Sequence, residues 1–486
     1  MQSLGPALYV FSHVLMAFAV IYGVPMAWAW FHDDLTHELQ WAACAGLTLV
    51  SGALLWLTTR SRRRELMPRD GFLLVNLVWL VLPAYSAVPL MLMVPGITWH
   101  HAYFEAMSAL TATGATALSG LERLPVSINI WRCFLQYVGG LGVMLLVVAV
   151  LPMLGLGGMQ LYKAETPGPM KDARLTPRIA ETARGLWGVY FVFSVLCLLA
   201  YRWAGMGWAD AFMHMCSTMG LAGFSSYDAS IGHFQSAAVE WVAVVFMALA
   251  GISFLRYFMV LRGLSLRPLW NDREVRTYAI VLAASVALVA LMLLAEGVYD
   301  DASTAVRQAA FHVLSLATTT GYATTDYLQW PVFIPVFLLF LGTFVSCAGS
   351  TGGGIKMVRM VLLVKQARRE LVRSIHPHVV NPVTLGGQAI PPQVMAAVLG
   401  FMLIYGAATL GLTFLLLLSG LDLVTALSAV VATLNNIGPG LGEIGPASNY
   451  GGLTPFQLGV LSFAMLLGRL ELLSVLVLFT RAFWRR

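Results

Sequence analysis

Four short stretches of the chain share one spacing. They read Ser108-Ala-Leu-Thr-Ala-Thr-Gly114, Ser217-Thr-Met-Gly-Leu-Ala-Gly223, Ser315-Leu-Ala-Thr-Thr-Thr-Gly321 and Ala432-Thr-Leu-Asn-Asn-Ile-Gly438. Ser precedes Gly by six in three of them, and Ala432 takes that place in the fourth. The chemistry open to such a set is cation coordination by the backbone. A cation sheds hydration water only where oxygens of comparable field strength replace it, and carbonyls from four loops around one axis can do so. Aiming successive carbonyls inward needs a backbone conformation that residues with a Cβ rarely adopt, so Gly is the natural occupant. The glycines stand about a hundred residues apart, the period of one supersecondary unit used four times.

Polar residues recur in register with these glycines. Five positions after them stand Ser119, Asp228, Asp326 and Glu443. The three carboxylates either concentrate cations at an outer pore mouth or are ordinary solvated loop acids. Nine positions before the glycines stand Glu105, His214, His312 and Ala429. These either hydrogen-bond the neighbouring loop or, because His titrates near neutrality, take part in proton coupling.

Two further stretches carry chemistry. Phe344-Val-Ser-Cys-Ala-Gly-Ser-Thr-Gly-Gly-Gly-Ile-Lys356 interrupts an apolar run from 331 to 363 with small and β-branched residues and four glycines. The composition predicts a break into an irregular intramembrane loop, which must line a cavity. On the path from a filter to the cytoplasm, it would act as a movable gate; the competing account is close helix packing through small residues. Gly468-Arg-Leu-Glu471 puts two charges into the last apolar stretch, too close in sequence to share a helix face. Arg469 then either faces the pore as a barrier to cations or binds carbonyls or a carboxylate of another helix. Gly440 to Gly445 matches GxGxxG without a preceding strand, and Gly349 to Lys356 lacks the Gly-Lys-Ser/Thr ending of a phosphate loop, so neither predicts nucleotide binding.

The elements that must position these residues follow from composition. Of 486 residues, 59% are hydrophobic and 11% charged. Soluble domains carry about 25% charged residues, so the chain is a polytopic membrane protein. Its net charge of +6 is spread over short loops and reads as topology rather than as nucleic-acid binding. Cys44, Cys133, Cys197, Cys216 and Cys347 stand singly in apolar segments, as small core residues. Met1 to Tyr9 carries no basic n-region and the first apolar run continues to about Trp30, so it reads as a span rather than a removable signal.

Spans are expected at about 7–31 and 39–58, and then in pairs at 71–95 and 131–151, 184–203 and 238–261, 277–295 and 331–363, and 394–418 and 455–483, ten in all. The segments before the glycines, such as 101–113, are too short to cross a hydrocarbon core of roughly 30 Å. They are expected to be half-helices whose negative C-terminal ends favour a cation. Basic clusters fall on one side: Arg60, Arg62, Arg63, Arg64 and Arg69; Lys163, Lys171, Arg174, Arg178 and Arg184; Arg262, Arg267, Arg273 and Arg276; Lys356, Arg359, Lys365, Arg368, Arg369 and Arg373; and Arg481, Arg485 and Arg486. The positive-inside rule makes that side cytoplasmic, with both termini there and the acidic Phe31 to Glu38 loop outside.

With the four glycine stretches, Gly349-Ser-Thr-Gly-Gly-Gly-Ile-Lys356, Asn435-Asn-Ile-Gly-Pro-Gly440 and Gly468-Arg-Leu-Glu471, the chain resembles the Trk/Ktr/HKT superfamily of cation transporters over essentially its whole length. It is most similar to the bacterial TrkH-type K+ uptake subunits. The resemblance implies a K+ selectivity filter formed by Ala112, Thr113, Gly114 and Ala115; Leu221, Ala222, Gly223 and Phe224; Thr319, Thr320, Gly321 and Tyr322; and Asn436, Ile437, Gly438 and Pro439. Gly114, where a Ser goes with Na+ permeation, implies K+ preference. It implies a gate made of Ser346, Cys347, Ala348, Gly349, Ser350, Thr351, Gly352, Gly353, Gly354 and Lys356 together with Arg469, and it accords with an outer vestibule at Asp228, Asp326 and Glu443. It also implies a homodimer in membrane lipid, regulated by a cytosolic nucleotide-binding subunit of the TrkA/KtrA type. The second filter departs from the pattern, since Met219-Gly-Leu-Ala-Gly-Phe-Ser-Ser lacks the Thr-rich run of the others.

The expectation is an all-α polytopic membrane protein: two N-terminal transmembrane helices at 1–69, then four pseudo-symmetric helix–pore loop–helix repeats around a central pore at 70–160, 161–265, 266–375 and 376–486. Its expected work is K+ uptake across a bacterial inner membrane, not enzymatic catalysis, with K+ as cargo and no organic cofactor in this chain. Coupling of K+ to H+ or Na+ is the alternative. Rigid-body alternating access is disfavoured because the repeats are parallel rather than inverted. A membrane hydrolase is disfavoured because nothing sets a base beside a nucleophile such as Ser350.

Overall fold

The computed structural model describes residues 4–32, 35–64, 66–145 and 175–485. Lys163, Lys171, Arg174 and Arg486, and the end of the expected 131–151 span, lie outside the described residues. Six helices are long and apolar enough to cross a membrane singly: Gly5–Phe31, Thr36–Arg62, Arg69–Met93, Thr182–Trp203, Arg273–Ala295 and Pro392–Leu418. Two bent pairs raise the number to eight. Val126–Leu145 and the interrupted Phe333–Gly342 and Met357–Ile375 occupy the remaining expected positions. The chain is a multi-pass, all-α membrane protein, with one small addition: a hairpin pairs Thr384–Leu385 with Gln388–Ala389 through Gly386 and Gly387, both at positive φ as such a two-residue turn requires.

Four short helices recur along the chain: Trp99–Leu110, Trp208–Gly220, Ala302–Ala317 and Leu423–Leu434. Local chemistry starts them. Asp301 and Asp422 are N-caps, each carboxylate accepting from backbone N–H groups of the first turn. Hydrogen bonds from the Ser303 and Thr304 hydroxyls and backbones hold the Asp301 carboxyl down to about 2. Each short helix lies between two long ones, and the four units share one continuous core.

The two N-terminal helices pack against the first unit through aromatic rings. Tyr22 stacks on Trp131 at 4.5 Å, Trp41 meets the same indole edge-on at 5.5 Å, and Trp131 Nε1 donates to Ser86 O. All five cysteines are buried and free.

Two expected spans differ from their reading. The stretch 238–261 is broken into Ala237–Ala250 and Phe254–Gly263 with a bend of 83°. The break is held from outside the helix: Cys347 N–H donates to Gly251 O, and Phe254 N–H donates to Gly349 O. The stretch 455–483 likewise bends by 109° between Pro455–Arg469 and Leu473–Phe479. There Glu471 and Leu472 both take left-handed φ, near 55° and 51°. Arg469 therefore ends a helix, and Glu471 stands in the break rather than inside a span. Neither break contains Pro, so periodicity alone left them invisible.

Close approach explains two glycines of the long helices. A Cβ on Gly139 would collide with the carbonyl of Leu110, and one on Gly468 with that of Leu434, the last residues of the first and fourth short helices. Gly139→Ala is expected to lower stability by about 1–3 kcal/mol, as overpacking against rigid backbone does. Gly188→Ala, at an exposed helix site where an added Cβ meets nothing, should leave it unchanged or slightly raised. Thermal unfolding of both variants in detergent checks the difference.

Candidate functional site: a ring of four glycine loops

The four short helices end in one way. In each, the residue two before the glycine is left-handed although it is not Gly: Ala112, Leu221, Thr319 and Asn436 have φ of 52°, 50°, 64° and 55°. A non-Gly residue there is strained. Two hydrogen bonds per helix hold it. The N–H groups of Ala112, Leu221, Thr319 and Asn436 donate to the carbonyls of Ala109, Thr218, Leu316 and Thr433 at 3.0–3.2 Å. Those of Thr113, Ala222, Thr320 and Ile437 donate to Ser108, Ser217, Ser315 and Ala432 at 2.7–3.0 Å. These are four Schellman motifs, and the residue six before each glycine, Ser in three loops and Ala432 in the fourth, is the one whose carbonyl closes the longer bond.

Two residues on, Gly114, Gly223, Gly321 and Gly438 are left-handed again, at φ 84°, 73°, 85° and 100°. Their Cα atoms face neighbouring loops so closely that a Cβ would collide with backbone. On Gly114 it would strike Ala222 O, on Gly223 Thr320 O, and on Gly321 Ile437 O; on Gly438 it would lie 2.8 Å from Thr113 O. Each glycine thus meets the residue just before the next glycine, in the order first, second, third, fourth and back to first. The ring is closed.

Some carbonyls of the ring already have partners. Gly438 O accepts from Tyr450 Oη at 2.7 Å, Tyr322 O from Ser315 Oγ at 2.6 Å, and Ala222 O from Gln136 Nε2 at 2.7 Å. Among the described residues no hydrogen-bond donor reaches the carbonyls of Thr113, Gly114, Thr320 or Gly321. No cluster of His, Cys, Asp or Glu fit for a metal ion exists among the described residues.

The side chains nine before the glycines tie helix to loop. Glu105 accepts from Thr116 Oγ1 at 2.9 Å, from Ala117 N–H at 2.8 Å, and from Arg132 Nε and Nη2 at 2.8 and 2.7 Å. His214 Nε2 meets Ser225 Oγ at 3.0 Å, and His312 Nε2 accepts from Thr324 N–H at 3.4 Å. Each ring or carboxylate is fully buried. Arg132, missed by the sequence reading, also donates to Ser225 O at 3.2 Å and lies 4.4 Å over the Phe224 ring. An Arg inside an apolar stretch was the signal for it.

The acids five after the glycines do not converge on one group. Asp228, exposed, accepts from the N–H groups of Gly120 and Leu121 at 2.7 and 3.0 Å and so staples the first loop to the second. Asp326 accepts from Leu328 N–H and caps its own turn. The Glu443 side chain and Ser119 are exposed.

On the other side of the ring lies the segment 343–356, irregular as expected. Thr351 Oγ1 donates to Met219 O at 2.9 Å, and Gly353 N–H donates to Thr319 Oγ1 at 2.8 Å. Gly352 faces Thr318 O, and a Cβ on Gly353 would collide with Asn435 O. The segment therefore touches the ends of the second, third and fourth short helices at once. Arg469 joins it to the first unit: Nη1 donates to Thr351 O at 2.9 Å and Nη2 to Gly139 O at 3.2 Å. Glu274 grips both its flanks, accepting from Ala348 N–H at 2.8 Å and Val358 N–H at 3.1 Å. Lys356, left-handed at φ 78°, folds back to donate to Gly352 O. Glu471 pairs with Arg359 at 2.5 Å, so the two charges of Gly468 to Glu471 serve different partners.

Glu105→Gln removes the carboxylate from a buried pair and leaves the Arg132 guanidinium without its counter-charge. It is expected to destabilise the protein by about 3–5 kcal/mol. Denaturation of the detergent-solubilised variant beside the unaltered chain measures this, and an unshifted transition would refute it.

Comparison with known proteins agrees with this architecture. The family model TrkH, described as a cation transport protein, matches residues 40–486. The Trk system potassium uptake protein TrkH of Escherichia coli is 43% identical over 440 residues, covering 90% of this chain and 91% of its own. That of Halomonas elongata is 45% identical over 447 residues, covering 91% of each. The crystal structure of the potassium transporter TrkH from Vibrio parahaemolyticus superimposes with a TM-score of 0.91 at 38% identity, covering 100% of both chains. This chain belongs to the TrkH family of cation transport proteins.

Proposed function

We propose that this chain takes up K+ across a bacterial inner membrane through the ring of four glycine loops. The observation that carries the reading is the closed cycle of approaches from Gly114, Gly223, Gly321 and Gly438 to the carbonyl-bearing residue before the next glycine. Such a ring offers backbone oxygens to a dehydrated ion, as K+ filters require. The relatives named as potassium uptake proteins support K+ as cargo. The ring's outer face, with Asp228, Asp326 and Glu443, would then be the extracellular mouth, and the basic segments and both termini would be cytoplasmic.

In this reading residues 346–354, with Lys356 and Arg469, form the gate. Its contacts with three short helices and, through Arg469, with the first unit support a closed state. A homodimer and a cytosolic nucleotide-binding subunit of the TrkA/KtrA type belong to the same proposal, with the basic Met357–Ile375 helix as an element that subunit could contact. Passive, channel-like flux is favoured over coupling to H+ or Na+, because Glu105, His214 and His312 are engaged by the loops they brace.

The deciding experiment is K+ and Na+ flux into proteoliposomes of the purified chain, with membrane potential and pH gradient clamped separately. Flux that prefers K+ and follows its electrochemical gradient is expected; K+ moving uphill only under a pH or Na+ gradient would replace this mechanism by coupled transport. Gly114→Ser, at a left-handed position facing Ala222 O, should weaken K+ over Na+ discrimination on the order of tenfold, or about 1.4 kcal/mol. Unchanged ratios in that variant would count against the filter. Deletion of residues 350–353 should raise flux, whereas reduced flux in folded protein would assign the segment to packing.

A further inference from the structure

The second glycine loop differs from its neighbours. In the first and third loops, hydroxyls three and one before the glycine pair with each other: Thr111 with Thr113 at 2.7 Å, and Thr318 with Thr320 at 2.8 Å. The second loop has Gly220 and Ala222 at those places and can make no such bond.

A side chain from another unit stands in. Gln136, on the Val126–Leu145 helix, is fully buried. Its Oε1 accepts from Ser217 Oγ at 2.6 Å and from Phe224 N–H at 3.2 Å, and its Nε2 donates to Ala222 O at 2.7 Å. The amide thus spans the residues on either side of Gly223. The small residue at 220 lets the two backbones approach, because a Cβ there would lie 2.9 Å from the backbone carbonyl oxygen of Gln136. Among the described residues no side-chain donor reaches the equivalent carbonyls of Thr113, Thr320 or Ile437. Ala222 O is therefore the one oxygen of that row whose direction is fixed by a side chain, and it is also the oxygen against which Gly114 packs.

We infer that Gln136 is a positioning residue for ion discrimination: it takes over in the second loop the bracing that paired threonine hydroxyls supply in the first and third. It touches no ion and acts through Ala222 and Phe224. The inference rests on the proposal that the ring is a K+ filter.

The test measures K+ and Na+ flux in proteoliposomes for the unaltered chain, Gln136→Leu, Gln136→Glu and Ser217→Ala, each with its thermal transition. The unaltered chain is measured first; absence of K+ preference there would defeat the filter reading itself, before any variant is examined. Given that preference, Gln136→Leu, which removes all three bonds, should lower the K+/Na+ ratio by about tenfold, the scale of one hydrogen bond. Gln136→Glu keeps the two acceptor bonds and replaces the donor facing Ala222 O by an oxygen, so it should lower the ratio as well. Ser217→Ala, which loosens one anchor of the amide, should lower it less. A reduced thermal transition with an unchanged ratio would make Gln136 a packing residue only and overturn the inference. If neither Gln136 variant folds, Ser217→Ala decides: a lowered ratio supports the role and an unchanged one refutes it.

Discussion

The architecture depends on one steric constraint, the lack of room for a Cβ between each ring glycine and the backbone of the next loop. Four such approaches close a cycle, and each requires its neighbour to be held in place. The backbone is left-handed twice in every loop, once at a glycine and once at a residue with a side chain. Strain at the second position persists because the surrounding structure over-determines it. Two Schellman bonds, a brace from the middle of the short helix, and in the second loop the Gln136 amide supply that over-determination.

Polar burial follows from the same constraint. Arg132 and Glu105 form an ion pair almost without solvent contact, in a region where removing two charges from water is expensive. The pair is compensated by bonds to Thr116, Ala117, Asn129 and Ser225, which lie on or beside the loops it orders. His214 and His312 repeat that arrangement in the next two units without a net charge partner of the Arg132 kind. In the fourth unit Ala429 leaves the place empty of polar groups, and Tyr450 instead holds the glycine carbonyl from the loop itself.

Much of this was legible in the chain. The register of Gly114, Gly223, Gly321 and Gly438, the Ser six before three of them, and the residues nine before were visible because a pseudo-symmetric repeat writes the same local requirement several times. The break at 343–356 was legible from glycine density. What escaped had no repeated or compositional mark. The bends after Ala250 and Arg469 arise from contacts with residues roughly a hundred positions away, Cys347 and Gly349 in one case and Arg359 in the other. Arg132 and Gln136 lie four apart on one helix face, yet only the fold reveals that this face runs along the second loop as well as the first. The spacing that marks Asp228 gave no sign that its carboxylate also accepts from the backbone of Gly120 and Leu121.

A single segment, from one unit alone, reaches beneath the ends of three short helices and is tied through Arg469 to the Val126–Leu145 helix of the first unit. That is possible only because the four quarters are one tandem polypeptide. Four separate identical subunits would deliver four copies of the segment to a space that one copy fills. Fusing the quarters therefore fixes the stoichiometry at one such segment per ring.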